Sequence, residues 1–266
     1  MGHTYLLPWE LMTHRFAVGH SEREGRAAVE SPWSIGRASG PAGGLVTCVE
    51  DMMSYAELQL GDGTFKGERL LEPESLRILH TPQAEYCPDK SVALTFWIDD
   101  SRAARTLSHS GGTVGQTSML TLVPDRDFAI ILVTNSGNGS QLNRKVTDWA
   151  LDHYLGIETP EPAPMEVPPE RLAEYAGSYK ATLTEAEVEA AGGGLAIRRR
   201  SLGGFPTRDI PPPPVEPRPP VRYGFYDEDL IVELEAPNRG DLGQFLRDPD
   251  GNIAWLRLGK RIHRLQ

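Results

Sequence analysis

His109-Ser110-Gly111-Gly112-Thr113-Val114-Gly115 lies between two apolar, strand-like runs. Glycines carry no Cβ, so a strand edge built from them can come very close to a bound carbonyl. An imidazole, a small hydroxyl and backbone N–H donors at such an edge suit acyl transfer, where N–H groups hold the developing oxyanion. The attacking group is missing from the pattern: the chain holds no Ser-x-x-Lys and no Gly-x-Ser-x-Gly. These residues describe part of a serine-hydrolase site without its nucleophile.

Bulk composition narrows the other possibilities. With 266 residues, 39% hydrophobic and 24% charged, the chain reads as an ordinary globular protein of one large or two smaller domains. A net charge of −10 disfavours nucleic acid and anionic membrane as partners. No apolar run approaches the ~20 residues needed to span a bilayer. Residues 1–10 lack the basic and apolar regions of a secretory signal, so a cytoplasmic location is expected if the start is genuine. Cys48 and Cys87 stand apart and are expected to be reduced thiols. His14 and His20 share no helical register and no His-Glu-x-x-His occurs, so neither metal nor cofactor is expected.

The elements that must position the His109 segment follow from periodicity and punctuation. Apolar positions at Met52, Met53, Ala56, Leu58 and Leu60 predict a helix over 49–60, capped by Thr47 or Glu50 and ended by Gly61. A short helix with proline in its first turn is predicted over 73–79. Strands are expected at 92–98, 105–109, 117–123 and 128–134, with 124–127 as the turn joining the last two. Gly43 and Gly44 are read as turn formers, and Trp97 as either core or cleft wall. A closing amphipathic helix is expected over 143–154. Ser136-Gly137-Asn138 fits a turn rather than a catalytic Ser-x-Asn.

Prolines at 160, 162, 164, 168 and 169 break this pattern, and the charge balance shifts there too. Residues 1–166 hold 22 acidic and 13 basic side chains, against 15 and 14 in 167–266. The expected organisation is a first domain over 1–158, a Pro-rich linker over 159–169 and a second domain over 170–266. Short strands at 178–180, 195–198, 221–225, 230–234, 244–247, 254–258 and 261–263 suggest a small antiparallel barrel or sandwich. Arg198-Arg199-Arg200 reads as a solvated strand edge, and the prolines of 211–220 as a stiff loop between strands.

Several segments in order resemble one family. Pro41-Ala42-Gly43-Gly44-Leu45-Val46-Thr47 followed by Glu50-Asp51-Met52 looks like the "PAGGL-ST-x-x-DL" segment of serine β-lactamase-like proteins. This group includes class C β-lactamases, relatives of penicillin-binding proteins, esterases and D-amino-acid peptidases. Arg69-Leu70-Leu71-Glu72-Pro73-Glu74-Ser75 is similar to its "rLLspes" segment, and His109-Ser110-Gly111 to the His-x-Gly form of its third active-site motif. Residues 128–135 look like the following strand, which commonly ends in Thr-Asn, and Met1-Gly2-His3-Thr4 resembles "LGM-x-x-T". From Leu172 onward the chain is similar to the lipocalin-like barrels that often trail such hydrolases.

The resemblance implies an α+β fold: part of a β-lactamase-like antiparallel sheet with flanking helices, then a small all-β barrel. It implies hydrolysis of an ester, amide or β-lactam through an acyl-serine. His109 takes the place of the motif's cation, Ser110 the hydroxyl and Gly111 the position of close approach, while Gly112 supplies an oxyanion N–H. Losing one such donor costs about 3 kcal/mol. The nucleophile, its lysine and the Tyr-x-Asn tyrosine belong upstream of "LGM-x-x-T", so the chain is expected to be partial and inert alone. Removing the upstream half would uncover the sheet and favour self-association. The competing expectation is a non-catalytic module whose barrel binds a small apolar ligand or a protein partner.

Overall fold

Alternating apolar residues between short turns become a sheet in the first half of the chain and a barrel in the second. The computed structural model describes residues 1–31, 35–113, 115–203 and 219–266, which form two units, Met1–Pro160 and Glu161–Gln266.

The first unit opens with a hairpin of β1 (His20–Arg23) and β2 (Arg26–Val29), then α1 (Gly40–Gly43) and α2 (Val49–Leu60). A small hairpin, β3 (Thr64–Phe65) with β4 (Glu68–Arg69), precedes α3 (Pro73–Leu79). Six strands follow: β5 (Ala84–Cys87), β6 (Lys90–Val92), β7 (Trp97–Asp99), β8 (Thr106–Thr113), β9 (Gln116–Val123) and β10 (Phe128–Thr134). They pair antiparallel in the order β10-β9-β8-β7-β6-β5, and α4 (Gly139–Leu155) closes the unit.

Strand alternation gives this sheet two apolar faces. On one, Leu107, Leu120 and Leu122 join Phe96, Ile98 and Ala56 of α2, with Met52, Tyr55, Ala129 and Ile131 packed around them. On the other, Val123 meets Leu151 of α4 together with Ile157, Phe128 and Leu155. Each fully buried aliphatic side chain contributes roughly 1.5–3 kcal/mol relative to exposure. The stripe Met52-Tyr55-Ala56 holds α2 down, and Glu50 and Asp51 in its first turn complement the positive end of the helix.

Three local expectations are corrected. The strand over 92–98 is two strands: β6 stops at Val92 and a turn closed by the Ala93 N–H on the Phe96 carbonyl (2.8 Å) precedes β7. Burying both Ala93 and Phe96 in the α2-side core requires that break. The N-cap of α2 is Cys48, which makes no side-chain cap bond, and the Thr47 hydroxyl is bound to Thr4 instead of capping the helix. Helix α4 starts at Gly139, four residues before expectation. A Cβ at Gly139 would stand 1.7 Å from Thr134 Oγ1, so only glycine lets the helix start this close to the sheet.

In the second unit, α5 (Pro169–Leu172) leads into β11 (Gly177–Lys180), β12 (Thr184–Ala191), β13 (Gly194–Ser201) and β14 (Val221–Asp227). Then come β15 (Leu230–Glu233), β16 (Leu242–Arg247), β17 (Ile253–Leu258) and β18 (Arg261–Leu265). Each strand pairs with the next, and Tyr179 opposite Leu265 joins the last to the first, so a closed barrel forms. Closure leaves no sheet edge. Tyr179, Tyr223, Phe225 and Phe245 fill the interior and Tyr175 plugs one end, its hydroxyl donating to Asp229 (2.8 Å).

Strand β12 is absent from the sequence expectation because its inward residues, Ala186 and Val188, are small and its outward ones are glutamates. The Arg198–Arg200 triplet is neutralised on the barrel wall by Glu187, Glu233 and Glu185 in turn. Of the expected proline loop over 211–220, residues 211–218 lie outside the described residues. No helix among the described residues is long and apolar enough to cross a membrane.

Candidate active site

Strand β8 places all four expected site residues, His109, Ser110, Gly111 and Gly112, in its exposed C-terminal half. It pairs with β9 from Leu107 opposite Leu122 to Thr113 opposite Gln116. On its other side β7 is only three residues long and pairs no further than Ser108, opposite Trp97. From His109 to Thr113, therefore, no described strand pairs with that edge of β8. In a strand, alternate residues direct both N–H and C=O to the same edge. The glycines thus lie where this edge of β8 has backbone groups without a described strand partner.

The two glycines have different reasons. A Cβ at Gly111 would lie 2.6 Å from Ser118 Oγ on β9, so this residue permits close packing of the hairpin. At Gly112 nothing lies within 4 Å of the Cβ position, which leaves the backbone open to the cleft. Gly44 permits the turn beside β8, since a Cβ there would stand 2.8 Å from Gly40 Cα.

The cleft belongs wholly to the first unit and has a volume of about 2070 Å³. Ligand pockets typically run ~300–1,000 Å³, so this one is open well beyond a small-molecule site. His109 to Thr113, Ser118 and Leu120 line it, facing Met52 and Tyr55 of α2. The segment before β1 supplies another wall through Tyr5, Trp9 and His14. Tyr5 and His14 are bound to each other, hydroxyl to Nε2 at 3.1 Å. Burial pushes the Tyr55 hydroxyl above its ordinary pKa. Trp97 is half-buried and packs edge-on against Tyr86, at 5.4 Å between ring centroids. Ser136 and Asn138 reach the rim from a turn, where the Asn138 N–H meets Ser136 Oγ at 3.3 Å.

One brace was not read from the sequence. Asp51, buried at the start of α2, accepts the Thr4 hydroxyl (2.6 Å) and the His3 N–H (2.8 Å) on Oδ2, and the Gly2 N–H (3.1 Å) on Oδ1. The Thr4 bond, opposed by burial and aided by the two N–H groups, holds this carboxyl below the ordinary carboxylate pKa. Tyr5 and Val46 exchange backbone hydrogen bonds beside it (2.8 and 3.0 Å). The two segments quoted above as "LGM-x-x-T" and "PAGGL-ST-x-x-DL" are therefore bonded to each other. Their threonine and aspartate were the available signal, but sequence order gave no hint that they meet. His3 and Cys48 come together at the same place.

Comparison with known proteins turns this geometry into a family assignment. The family described as Beta-lactamase matches residues 1–155, more than half of the chain and all of the elements around the cleft. The chain belongs to the beta-lactamase family. Penicillin-binding protein 4 of Amycolatopsis lactamdurans is 27% identical over 184 residues, covering 65% of this chain and 48% of that protein. The crystal structure of SurE superposes with a TM-score of 0.64 at 24% identity, covering 94% of this chain and 55% of SurE. An octameric penicillin-binding protein homologue from Pyrococcus abyssi gives 0.51 at 18% identity, covering 99% of this chain and 56% of its own. The two structures share the fold. This beta-lactamase family chain spans about half the length of the relatives it matches.

Proposed function

We propose that this chain is the His-x-Gly portion of a serine hydrolase that acts on an ester, amide or β-lactam through an acyl-serine. The observation that carries the reading is the edge of β8 from His109 to Thr113, with which no described strand pairs and which faces a cleft inside the family-matched region. In this reading a substrate carbonyl lies along that edge, the Gly112 N–H contributes to the oxyanion hole and His109 stands beside the leaving group. Ser110 offers a hydroxyl to the bound acyl group. The nucleophile and its base come from a further polypeptide segment that roofs the cleft, in line with its volume and with the half-length match.

Two measurements test this. The chain alone should turn over neither a chromogenic cephalosporin nor a p-nitrophenyl ester; a burst with a covalent acyl adduct on one of its own serines would refute the reading. In a longer form that carries Ser-x-x-Lys, His109→Ala should lower kcat/KM about 10²-fold, the lower end for loss of a proton-transfer group. Ligand binding within the barrel is the weaker alternative, because five aromatic side chains at most 2% exposed already occupy it.

A further inference from the structure

Outside the His109 segment, one cluster among the described residues of the first unit joins nitrogen, sulfur and oxygen donors. The ligating atoms of His3, Cys48 and Asp51 all lie within 4.8 Å of one another, and His3 and Cys48 line the wall of the cleft. We propose that His3, Cys48 and Asp51 bind a divalent cation of the zinc class, with its fourth coordination position open to the cleft.

The donor set fits that metal class. Imidazole, thiolate and carboxylate together suit zinc, whereas calcium and magnesium take oxygen donors. Bonds of ~2.0–2.3 Å in a tetrahedral site put ligand atoms roughly 3.3–3.8 Å apart. Closing from within 4.8 Å takes about an ångström, a shift available to the exposed His3 ring and the half-buried Cys48.

The anchor is already in place. Thr4, itself bound to Thr47 Oγ1 at 2.8 Å, and the N–H groups of His3 and Gly2 orient the Asp51 carboxylate. They occupy three of its roughly four lone-pair sites and leave one on Oδ1. Outer contacts of this kind orient metal ligands in built sites. The same bonds hold the His3 backbone against the start of α2, where Cys48 is the N-cap; its thiol makes no cap bond but donates to the Glu50 carboxylate, a bond that metal binding replaces. A cation at a helix N-terminus works against the helix dipole. The thiolate, the Asp51 carboxylate and the adjacent Glu50 supply the compensating negative charge. Binding converts the Cys48 thiol to a thiolate and releases its proton to solvent. The sequence showed no metal pattern because its closest pair of histidines, His14 and His20, is not the pair of segments that meets.

Cobalt(II) titration of the whole chain under reducing, anaerobic conditions tests the site. One equivalent should produce a thiolate-to-cobalt charge-transfer band and the strong visible bands of tetrahedral cobalt, both abolished by zinc. Cys48→Ser should remove the charge-transfer band and weaken zinc binding at least about tenfold, while Cys87→Ser leaves both unchanged. His3→Ala, at an exposed side chain that the fold does not need, should weaken binding comparably. Thr4→Val should cost about 10–100-fold through the orientation of Asp51. No charge-transfer band in excess cobalt, or a band that survives Cys48→Ser, would overturn the proposal.

Discussion

Glu233 is 1% exposed, and its Oε1 has no hydrogen-bond partner among the described residues. Its other oxygen accepts the Tyr223 hydroxyl and lies 3.6 Å from Arg199. A buried carboxylate with so few partners is sensitive to losing one. Tyr223→Phe should therefore lower barrel stability by about 2 kcal/mol in urea unfolding. A loss near zero would mean that Arg199 alone satisfies the charge. His263, also buried, contacts Thr184 Oγ1 at 2.8 Å. Burial lowers its pKa below the usual 6.5 and the nearby Arg199 and Arg261 act the same way, although the Leu256 and Arg261 carbonyls favour the protonated ring. The unfolded chain then takes up a proton before the folded one does. Its contribution is fully present above pH 6.5 and is lost as pH falls from there toward the lower folded value. Burial lowers His80 in the first unit as well. The urea midpoint of the barrel should fall over that window, and His263→Gln should flatten the slope.

At the scale of elements, two strand edges behave differently. The open half of β8 is short, exposed and rich in glycine, suited to a transient ligand rather than to another strand. By contrast β10, Phe-Ala-Ile-Ile-Leu-Val-Thr, has no charge and no proline, and it ends the sheet. Such an edge invites pairing with another chain. Val133, 51% exposed, lies on it. Association that grows with concentration is expected in sedimentation velocity, and Val133→Lys should suppress it by placing a charge on that edge. A monomer at every concentration before substitution would sink this expectation. The lengths of these strands were only partly legible. Residues 128–134 form an unbroken apolar run between turn residues, legible over its full length. Strand β8 was cut at His109, because Ser110-Gly111-Gly112 has no strand propensity, and pairing with β9 alone extends it to Thr113.

Across the whole molecule, the division of labour follows from what each part buries. The barrel closes on its own aromatic core, whereas the first unit keeps an open cleft lined in part by exposed Leu6, Trp9 and Leu45. Limited proteolysis should cut in the proline-interrupted stretch 159–169 and release a barrel fragment with its own cooperative melt. Rapid degradation of that fragment would show that it needs the first unit to fold. The core of the barrel was hard to read because strands such as β12 contribute alanine and valine. The choice of barrel over sandwich depends on β18 meeting β11, a pairing between opposite ends of the unit.

From the residues alone came the glycine-rich His109 segment and its likeness to a family motif, the helix of 49–60, the β9–β10 hairpin and the lack of a Ser-x-x-Lys. All of these are local: a side-chain type, a period of 3.6 or 2, or a turn within a few positions of its effect. Folding decided the rest. That β7 stops and no described strand pairs with its side of β8 beyond Ser108, that Thr4 reaches Asp51, and that His3 arrives beside Cys48 are decided between distant segments. Their partners are chosen by how whole elements pack, and no window of sequence contains both sides.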